Sequence, residues 1–204
     1  MNDSVIPDRS ERRSAILAAA QAVFAEYGFH KAKVETIAER ASIAKGTVYL
    51  YFSSKKDLLQ ALVEERMDRL NQLVEMQISE KCDLMATIKG LIKAHFLFYL
   101  EEREFIAILY GQLGQIAEGM EEPAKRASER MTAVITSLLE PGIQQGLLRA
   151  MPSRRLAQVL QGMIHAVAFD WVVRNGDESP EELSQEVYQL FCRGALVPAA
   201  VAQD

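Results

Sequence analysis

Residues 34–52, VETIAERASIAKGTVYLYF, constrain the fold more than any other stretch of the chain. Val34, Ile37, Ala38 and Ala41 fall at i, i+3, i+4 and i+7, the apolar stripe of a short helix. Ser42 and Ile43 break the pattern as a tight turn, with Ile43 placed to fill the angle between two helices. A second short helix over 44–51 turns Val48 inward. Its opposite face carries Gly46, Thr47, Tyr49 and Leu50, flanked by Lys45 and Tyr51. A helix this short is not stable alone, so neighbouring elements must hold it. Its exposed face offers hydroxyls, an aliphatic tip and a cation. Those groups suit the base edges of a DNA major groove, where the second helix of a helix-turn-helix lies.

The segment from Ile16 to Leu59, ILAAAQAVFAEYGFHKAKVETIAERASIAKGTVYLYFSSKKDLL, resembles the N-terminal DNA-binding domain of the TetR family of bacterial repressors. The features that carry the likeness are AA-x-x-x-F-x-E-x-G-F, the IA-x-x-A core, K-G-T-x-Y-x-Y-F and S-K-x-x-L-L. Two positions depart from the family pattern. Ser42 stands where glycine is common, which strains the turn. Lys33 stands where threonine is common, which removes an N-cap but adds a cation near phosphate. The resemblance implies an all-α regulator with a three-helix helix-turn-helix domain over 1–52 and a larger helical domain over 53–204. The second domain binds a small ligand and dimerises. Lys33, Lys45, Gly46, Thr47, Tyr49, Leu50 and Tyr51 are the candidate DNA contacts. Lys55 joins them by a separate argument. It lies in the first turn of a helix, where a cation is disfavoured, and a bound phosphate offsets that cost; the resemblance implies the same contact.

The formal net charge is −5, which at first sight opposes a nucleic-acid partner. The distribution reverses this. Residues 1–56 carry 9 Lys/Arg against 6 Asp/Glu, net +3, and the remaining 148 carry 14 against 22, net −8. A modestly basic head on an acidic body fits a DNA-binding module joined to a regulatory domain. Cys82 and Cys192 have no metal-ligand spacing and read as incidental thiols of a reducing cytoplasm. The N-terminus has no apolar core of a signal peptide. No run of about 18 apolar residues is present, so no membrane span is expected.

In chain order, Asp8 with Glu11 signals the start of a first helix that runs to Tyr27, with Ile16, Ala20, Val23, Phe24 and Tyr27 inward and Gly28 as its stop. Ser54 with Asp57 starts a long helix to about residue 78. The rest reads as helices over 83–101, 103–118, 121–145, 153–174 and 180–196, with Pro141 a kink and Gly146 a stop. The last two are rich in apolar residues. Leu160, Ile164, Val187 and Phe191 are assigned to a homodimer interface, a four-helix bundle built from two copies.

No G-x-S-x-G, H-E-x-x-H or P-loop pattern occurs. No catalytic residue, metal site or cofactor is therefore expected. The three histidines are too dispersed for a metal, and His95 and His165 read as core histidines by default. Pockets between bundle helices are apolar with a few polar groups. On that basis His95, Phe98, Tyr99, Phe105, Tyr110, Met131, His165 and Phe169 are candidate ligand contacts, although core packing explains most of them equally well. YLYF, GIQQGLL and DWVVRNG further resemble acyl-CoA-responsive regulators of fatty-acid degradation within the family. A CoA effector needs cations for its phosphates, and Arg103, Lys125, Arg126 and Arg130 are available, equally well explained as solvated faces. The expected partners are operator DNA, a second copy and a hydrophobic effector, in the cytoplasm. The alternatives are a multidrug-sensing repressor of an efflux gene and a ligand-free architectural DNA-binding protein.

Overall fold

The computed structural model describes residues 8–77, 83–106 and 121–197. They form α1 (Arg9–Lys31), α2 (Val34–Arg40), α3 (Lys45–Tyr51), α4 (Lys55–Gln77), α5 (Leu84–Glu101), α6 (Glu121–Gln144), α7 (Ser153–Val173) and α8 (Pro180–Ala195). Residues 103–106 are also helical. The only β feature among the described residues is an isolated antiparallel bridge between Leu148 and Leu196. The fold is all-α, as expected. Tyr110, Cys82 and most of the helix expected over 103–118 lie outside the described residues.

Local sequence signals set the helix ends. Asp8 and Glu11 form a reciprocal capping box at α1, and Ser179 and Glu182 do the same at α8, with Pro180 in its first turn. Each box satisfies amides that the first turn leaves without partners. At α4 the Ser54 hydroxyl accepts from the Asp57 amide at 3.1 Å. Gly28 adopts φ 73°, ψ 159° and breaks α1 one turn before its end. Three helices end in the same six-residue motif. After α2, Ser42 has φ 55° and the Ile43 amide donates to Ala38 at 3.0 Å. After α6, Gly146 has φ 73° and the Leu147 amide donates to Gly142 at 2.9 Å. After α7, Asn175 has φ 55° and the Gly176 amide donates to Trp171 at 3.0 Å. Each turn requires a left-handed residue, which glycine adopts without penalty and serine does not. α6 continues through Pro141 for its last turn, the ring lying within the helix.

The described residues divide into two compact units, the first reaching Arg66 and the second beginning at Met67. Residues 8–52 lie wholly in the first unit, together with the first half of α4. Its core is Ile16, Leu17, Ala20, Val23 and Phe24 of α1, Ile37 and Ala38 of α2, Val48 of α3, and Leu58, Leu59 and Leu62 of α4. Tyr27 was expected inward but is 46% exposed, because the chain turns away at Gly28. Arg40 of α2 and Glu26 of α1 form an ion pair at 2.5 Å across the outside of this core.

In the second unit α5 packs against both α7 and α8. It buries a broad face that includes Ile88, Leu91, Ile92, Phe96 and Phe98, and turns Lys89, Lys93, Leu97 and Leu100 to solvent. α7 buries Leu156, Ala157, Leu160, Ile164, Ala168, Trp171 and Val172. α8 buries Leu183, Ser184, Val187, Phe191 and Ala195. This corrects the interface assignment. Leu160, Ile164, Val187 and Phe191 are only 0%, 1%, 1% and 3% exposed within one chain, so they form the unit's own core. The apolar residues that remain outward are Val159, Phe169 and Val173 of α7 and Leu190 of α8. Both faces of α7 are thus apolar, and by length and composition it would be able to cross a membrane. One of those faces is already buried in protein.

Ser42 carries the steric cost of a left-handed residue without glycine's freedom. Ser42→Gly is expected to stabilise the first unit by about 1 kcal/mol, read as a higher urea midpoint at unchanged slope.

Candidate functional site

α3 has a single buried residue, Val48. The opposite side of the helix is open. Leu50 is 78% exposed and Tyr49 46%. Lys45 and Gly46 are exposed, and Thr47 and Tyr51 are half-buried. A Cβ added to Gly46 meets no atom within 4 Å. Glycine inside a helix costs about 1 kcal/mol relative to alanine, and nothing inside the protein requires it at this position. Lys33, the N-cap of α2, makes no side-chain cap and is exposed. Thus Lys33, Lys45, Gly46, Tyr49 and Leu50 reach solvent on the first unit, with Thr47 and Tyr51 beside them.

Lys55 has partners within the protein. Its ammonium donates to the carbonyls of His30 at 2.9 Å and Ala32 at 3.0 Å, and lies 4.7 Å from the Phe29 ring centroid. Burial lowers its pKa. The carbonyls at the end of α1 offset part of the cost of a cation in the first turn of α4. A lysine that reaches twenty-five positions back along the chain leaves no local trace in the sequence.

Sequence reasoning missed Glu35. Its carboxylate meets Lys45 at 2.5 Å, from α2 to α3. The Lys45 hydrogen bond holds Glu35 below the usual carboxylate range, helped by its own backbone amide. Glu35 in turn raises Lys45. Lys45 also lies 5.8 Å from the Tyr49 ring centroid.

Four of the effector candidates are in contact: Phe98 meets Tyr99 edge-on, Tyr99 bonds His165, and His165 stacks with Phe169. Phe98, Tyr99, Phe105 and Met131 are interior. His95 is buried and its Nδ1–H donates to the Leu91 carbonyl at 2.8 Å, so it is a satisfied core histidine. His165 is not a core residue. As a whole it is exposed, yet its Nδ1 bonds Tyr99 Oη at 3.0 Å, and desolvation on that side lowers its pKa. Phe169 stacks on it, with ring centroids 6.4 Å apart. Arg103 is already engaged. It donates to the Trp171 and Gly176 carbonyls at 3.0 and 2.7 Å and lies 4.8 Å from the Trp171 ring centroid, closing the end of α7. Arg130 pairs with Asp68 at 2.9 Å. Lys125 and Arg126 are exposed. A polar cleft of about 650 Å³ lies at the turn between α7 and α8, beside Asp170, Asp177, Glu178 and Glu186, and none of the effector candidates lines it. Among the described residues no cluster of His, Cys, Asp and Glu has the geometry to hold a metal.

Three comparisons bear on this geometry. Residues 16–62 match the family described as bacterial regulatory proteins, tetR family, and residues 82–195 match the tetracyclin repressor-like C-terminal domain. The fatty acid metabolism regulator protein of Bacillus subtilis is 29% identical over 180 residues, covering 88% of this chain and 93% of that one. The fatty acid degradation regulator FadR of Bacillus halodurans superposes with a TM-score of 0.81 at 28% identity, over 92% of this chain and 98% of that one. FadR of Bacillus subtilis in complex with stearoyl-CoA gives 0.79 at 27% identity, over 89% and 98%.

His95 sets a pH dependence. Burial lowers its pKa from 6.5 to about 4. Between those values the unfolded chain binds the proton and the folded one does not. Stability is therefore complete above pH 6.5 and falls as the pH drops toward 4, by about 3 kcal/mol from this residue. His95→Leu should remove that part of the slope when unfolding free energy is measured by urea across pH 4–7.

Proposed function

The chain belongs to the TetR family of bacterial regulatory proteins, and from that premise we propose that it is a dimeric repressor released from its operator by a long-chain acyl-CoA. It is a DNA-binding transcriptional regulator, and its relatives are regulators rather than enzymes. The observation that carries the reading of its DNA interface is the outward face of α3. A helix anchored by Val48 alone presents Gly46, Tyr49 and Leu50 to solvent, with Lys45 and Thr47 at its sides. On this reading Tyr49, Thr47 and Leu50 meet base edges, Gly46 lets the backbone approach, Lys33 faces a phosphate, and Lys45 flanks Tyr49 at the edge of the interface. Tyr51 supports the helix from its edge. Lys55 acts indirectly, by fixing the junction of α1 and α4.

The exposed apolar stripe of Val159, Phe169 and Val173 with Leu190 supports pairing with a second copy, which would complete a four-helix bundle. A symmetric dimer reads half-sites about 34–36 Å apart, so a small change in the separation of its two α3 helices loses one set of contacts. An effector must bind the DNA-incompetent state better to cause that change. A 100-fold loss of operator affinity corresponds to a coupling of about 2.7 kcal/mol.

The stearoyl-CoA complex of the Bacillus subtilis relative supports an acyl-CoA effector here. The apolar interior at Phe98, Tyr99, Phe105 and Met131 suits an acyl chain, and Lys125 and Arg126 suit CoA phosphates. The DNA-binding relatives support a cytoplasmic location.

Tyr49→Ala is expected to cost about 1–3 kcal/mol of affinity for a duplex that the wild type enriches from a random pool, with helicity and oligomeric state unchanged. Normal binding by that variant would show that α3 does not read bases through this face. In a mobility-shift assay on the same duplex, micromolar long-chain acyl-CoA should release the protein and free CoA should not. Release by lipophilic cations, with no effect of acyl chains of any length, would replace the acyl-CoA reading with that of a drug sensor.

A further inference from the structure

The pair formed by Glu35 and Lys45 lies at the edge of the face that α3 turns to solvent. The residues are on different helices, and their side chains are 53% and 49% exposed. Lys33 also acts on the same carboxylate, lowering its pKa further. An anion is therefore held among the cations of a surface read above as the DNA interface. Folding does not account for it, because an exposed pair of this kind contributes little to stability. Its effect on an approaching duplex is large by comparison. The two charges are 2.5 Å apart, well inside the screening length of about 10 Å, so a phosphate near Lys45 also meets Glu35.

We propose that Glu35 is a specificity-determining residue, which holds Lys45 beside Tyr49 on the reading face and withholds its charge from the phosphates of unrelated DNA. The proposal rests on the reading of α3 given above. Binding to unrelated duplexes is almost entirely phosphate electrostatics, so cancelling one cation weakens it directly. On a matching sequence, base-edge contacts from Tyr49, Thr47 and Leu50 add to the affinity. There the pair stays intact and keeps Lys45 from moving off the Tyr49 ring, which lies 5.8 Å away. Glu35 thus opposes one class of complex and orders the other.

The test compares wild type, Glu35→Gln and Glu35→Asp on two duplexes over a series of salt concentrations. One duplex is enriched from a random pool by the wild-type protein, and the other is its scrambled counterpart. Glu35→Gln should bind the scrambled duplex about tenfold more tightly, with a salt slope steeper by about 0.9. It should gain nothing on the enriched duplex, so the specificity ratio narrows about tenfold. Glu35→Asp keeps the charge and should keep most of the ratio. An equal gain on both duplexes would reduce Glu35 to a general surface charge and overturn the proposal, as would unchanged affinities and slopes. If Tyr49→Ala binds the enriched duplex normally, or if the wild type enriches no duplex, the underlying reading of α3 fails, and this one with it.

Discussion

A seven-residue helix cannot persist in water by its own hydrogen bonds, and α3 is held to the protein through Val48. Everything the outer face of α3 offers depends on that side chain staying buried, on a helix that packs against α2. The surroundings reinforce the one anchor. Phe52 is buried just beyond the helix, with Arg13 of α1 5.4 Å from its ring centroid. Lys55 ties the following helix to the last carbonyls of α1. The left-handed turn at Ser42 fixes the angle at which α3 leaves α2. The reading face has few anchors, and each acts at a chain junction rather than within a helix.

The second unit solves the opposite problem. α5, α7 and α8 carry more apolar surface than one chain can hide. α5 takes the centre, and its polar members are satisfied within it: Thr87 bonds the Asp83 carbonyl at 3.0 Å, and His95 bonds that of Leu91. Glu102, just past the end of α5, is 5% exposed and pairs with Arg69 at 3.0 Å, and the same arginine reaches Glu101 at 2.6 Å. α7 is left with a second apolar face outward.

The helices and their ends were legible because their signals are local. Asp8 with Glu11, Ser179 with Glu182, and Gly146 each act within one turn, so spacing alone finds them. The strain at Ser42 was legible for the same reason. The face of α3 followed from Val48 once helical periodicity was granted. Which face of α7 turns inward was not legible, because both its faces are apolar, and the single apolar stripe of α8 does not say whether its own chain or a second copy covers it. Leu160, Ile164, Val187 and Phe191 were misassigned on that account. Nor were the targets of Lys55, Arg103 and Glu35, whose partners are decided by how separate elements pack. His165 read as a core residue from its apolar neighbours, yet it stands on the outer face of α7 and bonds Tyr99.

The backbone bridge between Leu148 and Leu196 is flanked by hydrogen bonds from Arg149 to Ala195 at 2.8 Å and from Val197 to Leu147 at 3.2 Å. Those bonds fasten the chain before α7 to the chain after α8, so the two helices and their turn form a closed ring. Closing a loop limits the conformations open to what lies within it. Fraying from the end of α8 then requires breaking the clasp as well as unwinding the last turn. Val159, Phe169, Val173 and Leu190 are borne by this ring, and their positions are fixed before any partner arrives. An association through them would forfeit little internal freedom, and its affinity would be set by fit rather than diminished by ordering.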